Sequence, residues 1–435
     1  MAMIKTILVR GSDEQLKVVR VPQWHLELVL DVDAETALEG VRRYFLNRWG
    51  AKVHALQWLF PEDLLLSRNQ EQTPFLVLWV ETLGRVPVDS IKDPAQTRPA
   101  YNGSDGLAPF LVAAETPCHS EPWSLPSWLP SVAKWIRAHF LAIRRVSQVR
   151  TCPNGAVVRI ECVNGVYYLK TQLQPLAYES ALLMILNRRI PGVCPQVLPI
   201  RPDANTYLTE AIVGSPMNVP GDSQSWRATL SDVAKIQIES ADFVTELCHG
   251  GVPYHGLAAL GAGIEEMLNR LIASQNGSPN ELTLEELRKI SSLISKAAPD
   301  FEVLYRCDLP ETLIHGDLNQ SNAFRTGTGR TVLIDWALSR VTHPFFTLGS
   351  ALFGPYASGR RKQPDYDDLC NAYLEPWRDF QAHDRLRAAL DAASRLFWID
   401  STMAVSSLCQ PGHVRNLINL PRFLRATLRA YELLG

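Results

Sequence analysis

Between Ile4 and about Val88 the apolar residues fall in short blocks: Ile7-Leu8-Val9-Arg10, Leu16 to Val21, His54 to Phe60 and Phe75 to Glu81. Blocks of this length, rich in β-branched and aromatic residues, read as strands, and the stretch Ala34 to Trp49 between the second and third reads as a helix. The expected order is strand, strand, helix, strand, strand, a small α/β unit. From Asp93 to Pro130 the pattern breaks under Pro94, Pro99, Asn102-Gly103, Pro117, Pro122, Pro126 and Pro130. Prolines at this density disfavour long regular elements, and a domain boundary is expected here.

Beyond it Trp128, Leu129, Val132, Trp135, Ile136 and Phe140 recur at helical spacing. Two strand-like runs follow, Ala156 to Cys162 and Val166 to Thr171, joined by Val163-Asn164-Gly165, where Asn-Gly would supply the positive φ angles of a tight hairpin turn. A helix is expected over Ala177 to Leu186. From about Ser223 onward the pattern is mainly helical. Ile264, Met267, Leu268, Leu271 and Ile272 make one stripe, and Leu284, Leu287, Ile290, Leu293 and Ile294 another. Thr283 and Glu286 have the spacing of a capping box. One strand-rich insertion, Leu313 to Asp335, interrupts this helical half.

At 435 residues the chain is long enough for two or three folded units. Its 43 Lys and Arg against 45 Asp and Glu give no electrostatic reason to expect a nucleic acid or an anionic membrane as partner. The eight cysteines are scattered, with no C-x-x-C pair, and read as reduced core thiols. With no long apolar run, a soluble, cytoplasmic protein is expected.

The candidate chemistry concentrates in the insertion. Ile314-His315-Gly316-Asp317-Leu318-Asn319-Gln320-Ser321-Asn322, followed by Val332-Leu333-Ile334-Asp335-Trp336, has the H-x-D-x4-N spacing of a kinase catalytic loop and a later aspartate like that of D-F-G. These residues resemble those of the aminoglycoside phosphotransferases and choline kinases, in which the loop reads H-G-D and the later motif I-D-W or I-D-F. The resemblance implies a protein-kinase-like, two-lobed α+β fold over 119–435, with a small β-rich lobe at about 119–212 and a large helical lobe at about 213–435. It also implies ATP, with GTP as the alternative nucleotide, together with Mg²⁺ and a hydroxylated small-molecule acceptor.

The chemistry agrees position by position. Phosphoryl transfer needs a carboxylate that accepts or orients the attacking hydroxyl, which suits Asp317. Asn322 offers a neutral oxygen and Asp335 a charged one to a hard divalent ion. His315 braces the loop, and Gly316 permits a tight or positive-φ backbone. Lys170 closes a strand as a kinase phosphate-clamping lysine does, with Glu179, nine residues on, as its expected partner. Asn154 and Gly155 occupy the place of the phosphate-covering loop, which has one glycine here where protein kinases have G-x-G-x-x-G. The run Tyr207 to Pro216 looks like the family's hinge, with backbone groups around Glu210, Ala211 and Ile212 expected to meet adenine. The stretches Ala337 to Leu348, with His343-Pro344-Phe345-Phe346, and Ala372 to Trp377 resemble one bacterial branch and are expected to build the acceptor side. Asp365, Asp367, Asp368, Trp377, Trp398 and Asp400 are further candidates for an acceptor lining.

Residues 1–118 carry a second resemblance, to a Nudix domain with a damaged signature. Glu35, Arg43, Phe45, Gly50 and Ala51 fall in register with the Nudix box, but its opening glycine is Val29, and Tyr44, Asn47 and Arg48 stand at the metal-binding positions. A helix so depleted of carboxylates would not hold a hard cation, and an inactive docking or substrate-covering module is expected. The alternative for the whole chain is a pseudokinase, binding ligand without turnover. A protein side chain is disfavoured as acceptor, because no activation-segment signature such as A-P-E follows Asp335.

Overall fold

The computed structural model describes residues 3–10, 16–20, 53–59, 75–82, 122–124, 128–139, 142–152, 155–201, 205–217, 223–261, 263, 266, 282–357 and 363–407. The chain is α+β and divides into two compact units, residues 1–173 with 199–209, and residues 174–198 with 210–435. The boundary expected near residue 118, and the helix expected over Ala34 to Trp49 with its Nudix-like positions, lie outside the described residues.

In the first unit all four expected strands form: β1 (Met3–Arg10), β2 (Leu16–Arg20), β3 (Val53–Leu59) and β4 (Phe75–Thr82). They make one sheet in the order β2-β1-β4-β3. The outer pairs are antiparallel and the central pair β1/β4 is parallel, with Ile7 opposite Leu78. Helix α1 (Trp128–His139) buries Trp128, Val132 and Ile136, one residue per turn on a single face. It leads into a meander of β5 (Ile143–Cys152), β6 (Gly155–Cys162) and β7 (Gly165–Gln172), antiparallel throughout. The β6/β7 hairpin forms where expected, with Cys162 opposite Gly165, but neither Val163 nor Asn164 takes a positive φ. The reversal therefore does not use the Asn-Gly conformers that the dipeptide suggests.

The second unit opens with α2 (Glu179–Arg189), displaced toward the C-terminus from its expected span because a 3₁₀ turn at Gln174–Leu176 comes first. Strand β8 (Val197–Arg201) and strand β9 (Thr206–Glu210), whose residues 199–209 belong to the first unit, complete the five-stranded sheet β5-β6-β7-β9-β8. After β10 (Ser215–Pro216), helix α3 (Ser223–Ser240) turns Trp226, Leu230, Val233, Ala234, Gln237 and Ser240 inward. Two polar members of that face are satisfied, whereas the hydroxyl of Thr229, equally buried, has no partner among the described residues. Gln237 donates to the Pro344 carbonyl at 2.9 Å and accepts from Tyr373 Oη at 2.6 Å, while the Ser240 hydroxyl accepts from the Leu313 amide at 3.0 Å. Buried polar groups satisfied in this way fix a register that apolar packing alone leaves loose.

Helix α4 (Val244–His249) precedes α5 (Leu284–Lys296), whose capping box forms as expected. The Thr283 amide donates to Glu286 at 2.8 Å and the Glu286 amide to Thr283 Oγ1 at 3.1 Å. Leu287 and Ile290 are buried, but Leu284 is 73% exposed and stands outside the expected stripe. Beyond α6 (Ala298–Cys307), the expected insertion resolves into two small ladders. Strands β11 (Thr312–Ile314) and β14 (Arg340–Thr342) pair antiparallel, and β12 (Ala323–Arg325) pairs with β13 (Thr331–Leu333). Helices α7 (Gly354–Ala357), α8 (Gln363–Leu374) and α9 (His383–Ser407) complete the unit. Among the described residues no helix is long and apolar enough to cross a membrane, and Cys162, Cys194, Cys248, Cys307 and Cys370 are free thiols.

The buried stripe of α9, Leu386, Leu390, Ala393, Leu396, Phe397, ends on a carboxylate, Asp400, that has no exposure. Arg340 at the start of β14, itself 3% exposed, answers it with Nε to Oδ1 at 2.9 Å and a second bond from Nη2 to Oδ2. Burial alone would raise the carboxyl pKa, but the adjacent guanidinium charge and its hydrogen bonds outweigh it and hold the group below its usual value. The stabilisation is therefore complete above about pH 4, where an unfolded aspartate is ionised, and is lost as pH falls through the lower folded value. Replacing Asp400 with Ala strands a buried guanidinium and should cost about 3–5 kcal/mol in urea unfolding at pH 7. Between pH 4 and 2.5 that difference should shrink; a constant difference would show that the ion pair is not its source.

Candidate active site

Each end of the loop 315–322 is fixed by a ladder: β11 delivers His315 at its C-terminal end, and β12 receives the chain just after Asn322. The return strand β13 delivers Ile334 and Asp335. The Ile334 peptide ties the two segments together. Its amide donates to the Asn322 carbonyl at 2.9 Å, and its carbonyl lies 2.9 Å from His315 Nε2. His315 is 2% exposed, with its ring 4.7 Å from that of Trp336, so it serves as the expected brace. The Ser339 hydroxyl holds the His315 carbonyl at 3.2 Å.

Asp317 is partly exposed at the loop tip, and two amides steady it. Asn322 Nδ2 donates to its backbone carbonyl at 2.9 Å and to its Oδ2 at 3.2 Å; Asn319 Nδ2 donates to the same carbonyl at 3.1 Å and to Oδ1 at 3.3 Å. Asn319 also caps the 3₁₀ turn Gln320–Asn322 through the Ser321 amide at 2.9 Å. Because its nitrogen is committed to Asp317, Asn322 has its amide oxygen left as the donor for a cation. Asp335 follows directly on Ile334 and sits in the left-handed region, φ 62° and ψ 58°, a conformation uncommon outside glycine that clusters at functional sites. Among the described residues no cluster of three or more His, Cys, Asp or Glu could hold a metal ion. The expected ligands Asn322 and Asp335 would supply one amide oxygen and one carboxylate, leaving the remaining positions of an ion to phosphate and water.

Gly316 is required by two independent facts. Its φ is +78°, and a Cβ there would lie 2.0 Å from the Leu338 carbonyl oxygen. The Leu338 carbonyl in turn accepts Arg340 Nη1 at 2.8 Å, so the buried Arg340–Asp400 pair lies directly behind the loop. Tyr178, capping α2, donates to the carbonyls of Ala337 at 2.6 Å and Ser339 at 2.8 Å, which fastens that helix to the segment after Asp335.

A cavity of about 590 Å³ opens beside the loop. Asp317, Asn319, Gln320 and Ser321 form one side; Trp226 from α3, Arg340, Gly349, and Phe397, Trp398 and Ser401 from α9 contribute to the rest. Gly349 is needed for this wall, since a Cβ there would lie 2.1 Å from the Phe397 ring. Of the expected acceptor-side stretches only Leu338 and Arg340 reach the cavity among Ala337 to Leu348. His343, Phe345, Phe346 and Trp377 are core residues, and burial pulls the His343 imidazole down to about 3, so it stays neutral. Of the other acceptor candidates Trp398 lines the cavity. Asp367 pairs with Arg387, Asp368 with Arg227 and Asp400 with Arg340, while Asp365 is exposed.

Glu179 is buried at the first turn of α2 in the second unit, whereas Lys170 lies in the first, partly exposed on β7 opposite Val157. Gly155 opens β6, and Asn154 lies outside the described residues. Glu210 ends β9, exposed, with its amide donating to the Gln196 carbonyl at 3.3 Å; Ala211 and Ile212 follow as a partly exposed loop.

Gly316→Ala combines a positive φ with a backbone clash and should lower the unfolding free energy by about 1–3 kcal/mol. Gly327→Ala, where an added Cβ meets nothing within 4 Å, should stay within about 0.5 kcal/mol of the parent. Equal urea midpoints for the two variants would contradict this account of the loop.

Residues 248–390, which include the whole loop and Asp335, match the family model described as the phosphotransferase enzyme family. No curated protein matches the chain. Among solved structures, the chain is similar to an ethanolamine kinase from Plasmodium vivax at 12% identity and a TM-score of 0.49, covering 65% of this chain and 82% of that one. It is similar to a macrolide 2'-phosphotransferase from Brachybacterium faecium at 14% identity and a TM-score of 0.47, covering 67% and 96%. A choline kinase from Streptococcus pneumoniae is similar at 14% identity and a TM-score of 0.44, covering 68% and 99%.

Proposed function

We propose that residues 119–435 form a two-lobed, kinase-like small-molecule phosphotransferase that moves the γ-phosphoryl group of ATP to a hydroxyl of its acceptor. The observation that carries this reading is the loop itself: a carboxylate steadied by two amides at the edge of a cavity, with a second carboxylate tied to the same loop through Ile334. Asp317 takes or orients the hydroxyl proton as the acceptor oxygen attacks. Asn322 and Asp335 hold Mg²⁺, which when bound neutralises charge building on the phosphates. His315 keeps these groups in register without touching the reacting atoms.

In this reading Lys170 steadies the phosphates and pairs with Glu179; Asn154 and Gly155 cover them; and the backbone of Glu210, Ala211 and Ile212 holds the adenine. Residues 1–118 are assigned, from their damaged signature, to an inactive Nudix-like module. The protein works in the cytoplasm, and its acceptor is a hydroxylated small molecule.

Asp317→Asn keeps the shape and hydrogen-bonding reach of the side chain but removes its basicity. It should reduce kcat about 10²–10⁴-fold with little change in the Kd for Mg-ATP, measured by a coupled assay and calorimetry. Asp335→Ala should instead abolish the magnesium dependence of nucleotide binding. Parent-like turnover in the first variant, or unchanged Mg-ATP affinity in the second, would overturn the assigned roles.

A further inference from the structure

Taking the phosphotransferase reading as its basis, we infer that the acceptor is an uncharged, drug-sized hydroxylated molecule with a flat apolar or aromatic face, such as a glycoside, and not a polyamine or a small amino alcohol. The inference comes from what the cavity offers. At about 590 Å³ it has the volume of sites that enclose drug-sized ligands, far more than an acceptor of a few heavy atoms would fill. Trp398, partly exposed, supplies ring surface, backed by the buried Phe397 ring at 4.3 Å between centroids. Such surfaces suit the carbon-bound face of a sugar or another ring.

The polar groups on the wall point the same way. Asn319, Gln320, Ser321, Ser350 and Ser401 are neutral and can donate and accept, which matches hydroxyl and ether oxygens.

The charge balance of the described wall is a poor match for a polycation. Asp317 is the only carboxylate on the wall among the described residues, and its two oxygens already accept amide bonds. The other charged wall residue is a cation, Arg340, neutralised by Asp400 behind it. A ligand with several ammonium groups would surrender their hydration without finding matching carboxylates.

The test uses the full-length protein and three probes: 2-naphthyl β-D-glucopyranoside, kanamycin and choline. Calorimetry without nucleotide reads binding, and transfer of labelled phosphate from Mg-ATP reads turnover. The naphthyl glucoside should bind at least tenfold more tightly than either cation. Trp398→Ala should weaken that binding about tenfold and Trp398→Phe, which keeps a ring, should restore most of it. Glucoside binding without phosphate transfer would leave the acceptor class standing and sink the phosphotransferase reading. Transfer to kanamycin or choline as efficient as to the glucoside would do the reverse. Failure of the glucoside to bind, or binding indifferent to both Trp398 variants, would overturn the inference whatever the turnover.

Discussion

Asp400 lies at the end of the apolar stripe of α9 with no exposure, and Arg340, with His255 Nδ1 3.9 Å away, makes that placement tolerable. The consequences extend beyond stability. Arg340 is the β14 residue opposite Ile314, the last residue before His315, so the ion pair fixes the strand that launches the loop. Its remaining donor holds the Leu338 carbonyl, the group against which Gly316 packs without a Cβ. One buried pair thus sets the long helix, the base of the loop and part of the cavity wall in a common frame.

Within that frame the site is assembled from short-range pieces. The His315 ring and the Ile334 peptide join the outgoing and returning segments, and two amide side chains steady Asp317 from the same 3₁₀ turn. The proposed base and metal-binding carboxylate would need mutual placement within fractions of an ångström to be effective, and buried backbone hydrogen bonds supply that better than mobile surface contacts. The cavity follows different physics. Its walls come from α3, the loop, β14 and α9, so its shape depends on helix packing and on the missing side chain of Gly349 that admits the Phe397 ring.

This division explains what could be read from the residues alone. The loop 315–322 stood out as a candidate because the chemistry proposed for it demands specific residue types at fixed short offsets, and the Thr283–Glu286 capping box was legible because both partners lie within one turn. The β6/β7 hairpin was legible from its flanking strands, although its backbone conformation differs from the usual Asn-Gly form. Trp226, Phe397 and Ser401 carried no signal, since they meet only through tertiary packing of helices far apart in sequence. Arg340 and Tyr178 were missed for the same reason, their partners lying 60 and 159 residues away. A usable sign did exist for Asp400, a carboxylate falling on an otherwise apolar helical stripe. His343-Pro344-Phe345-Phe346 misled in the opposite direction: an aromatic cluster beside a catalytic motif turned out to be core, as large apolar residues more often are.

The account rests on the passage of a phosphoryl group from nucleotide to an acceptor hydroxyl beside Asp317. Incubation of the full-length protein with γ-labelled ATP, Mg²⁺ and a library of hydroxylated compounds, followed by phosphorus NMR of the products, tests this directly. The account predicts a new phosphomonoester that forms only when the divalent ion is present. Label remaining in ATP, or appearing solely as inorganic phosphate with every compound, would contradict it.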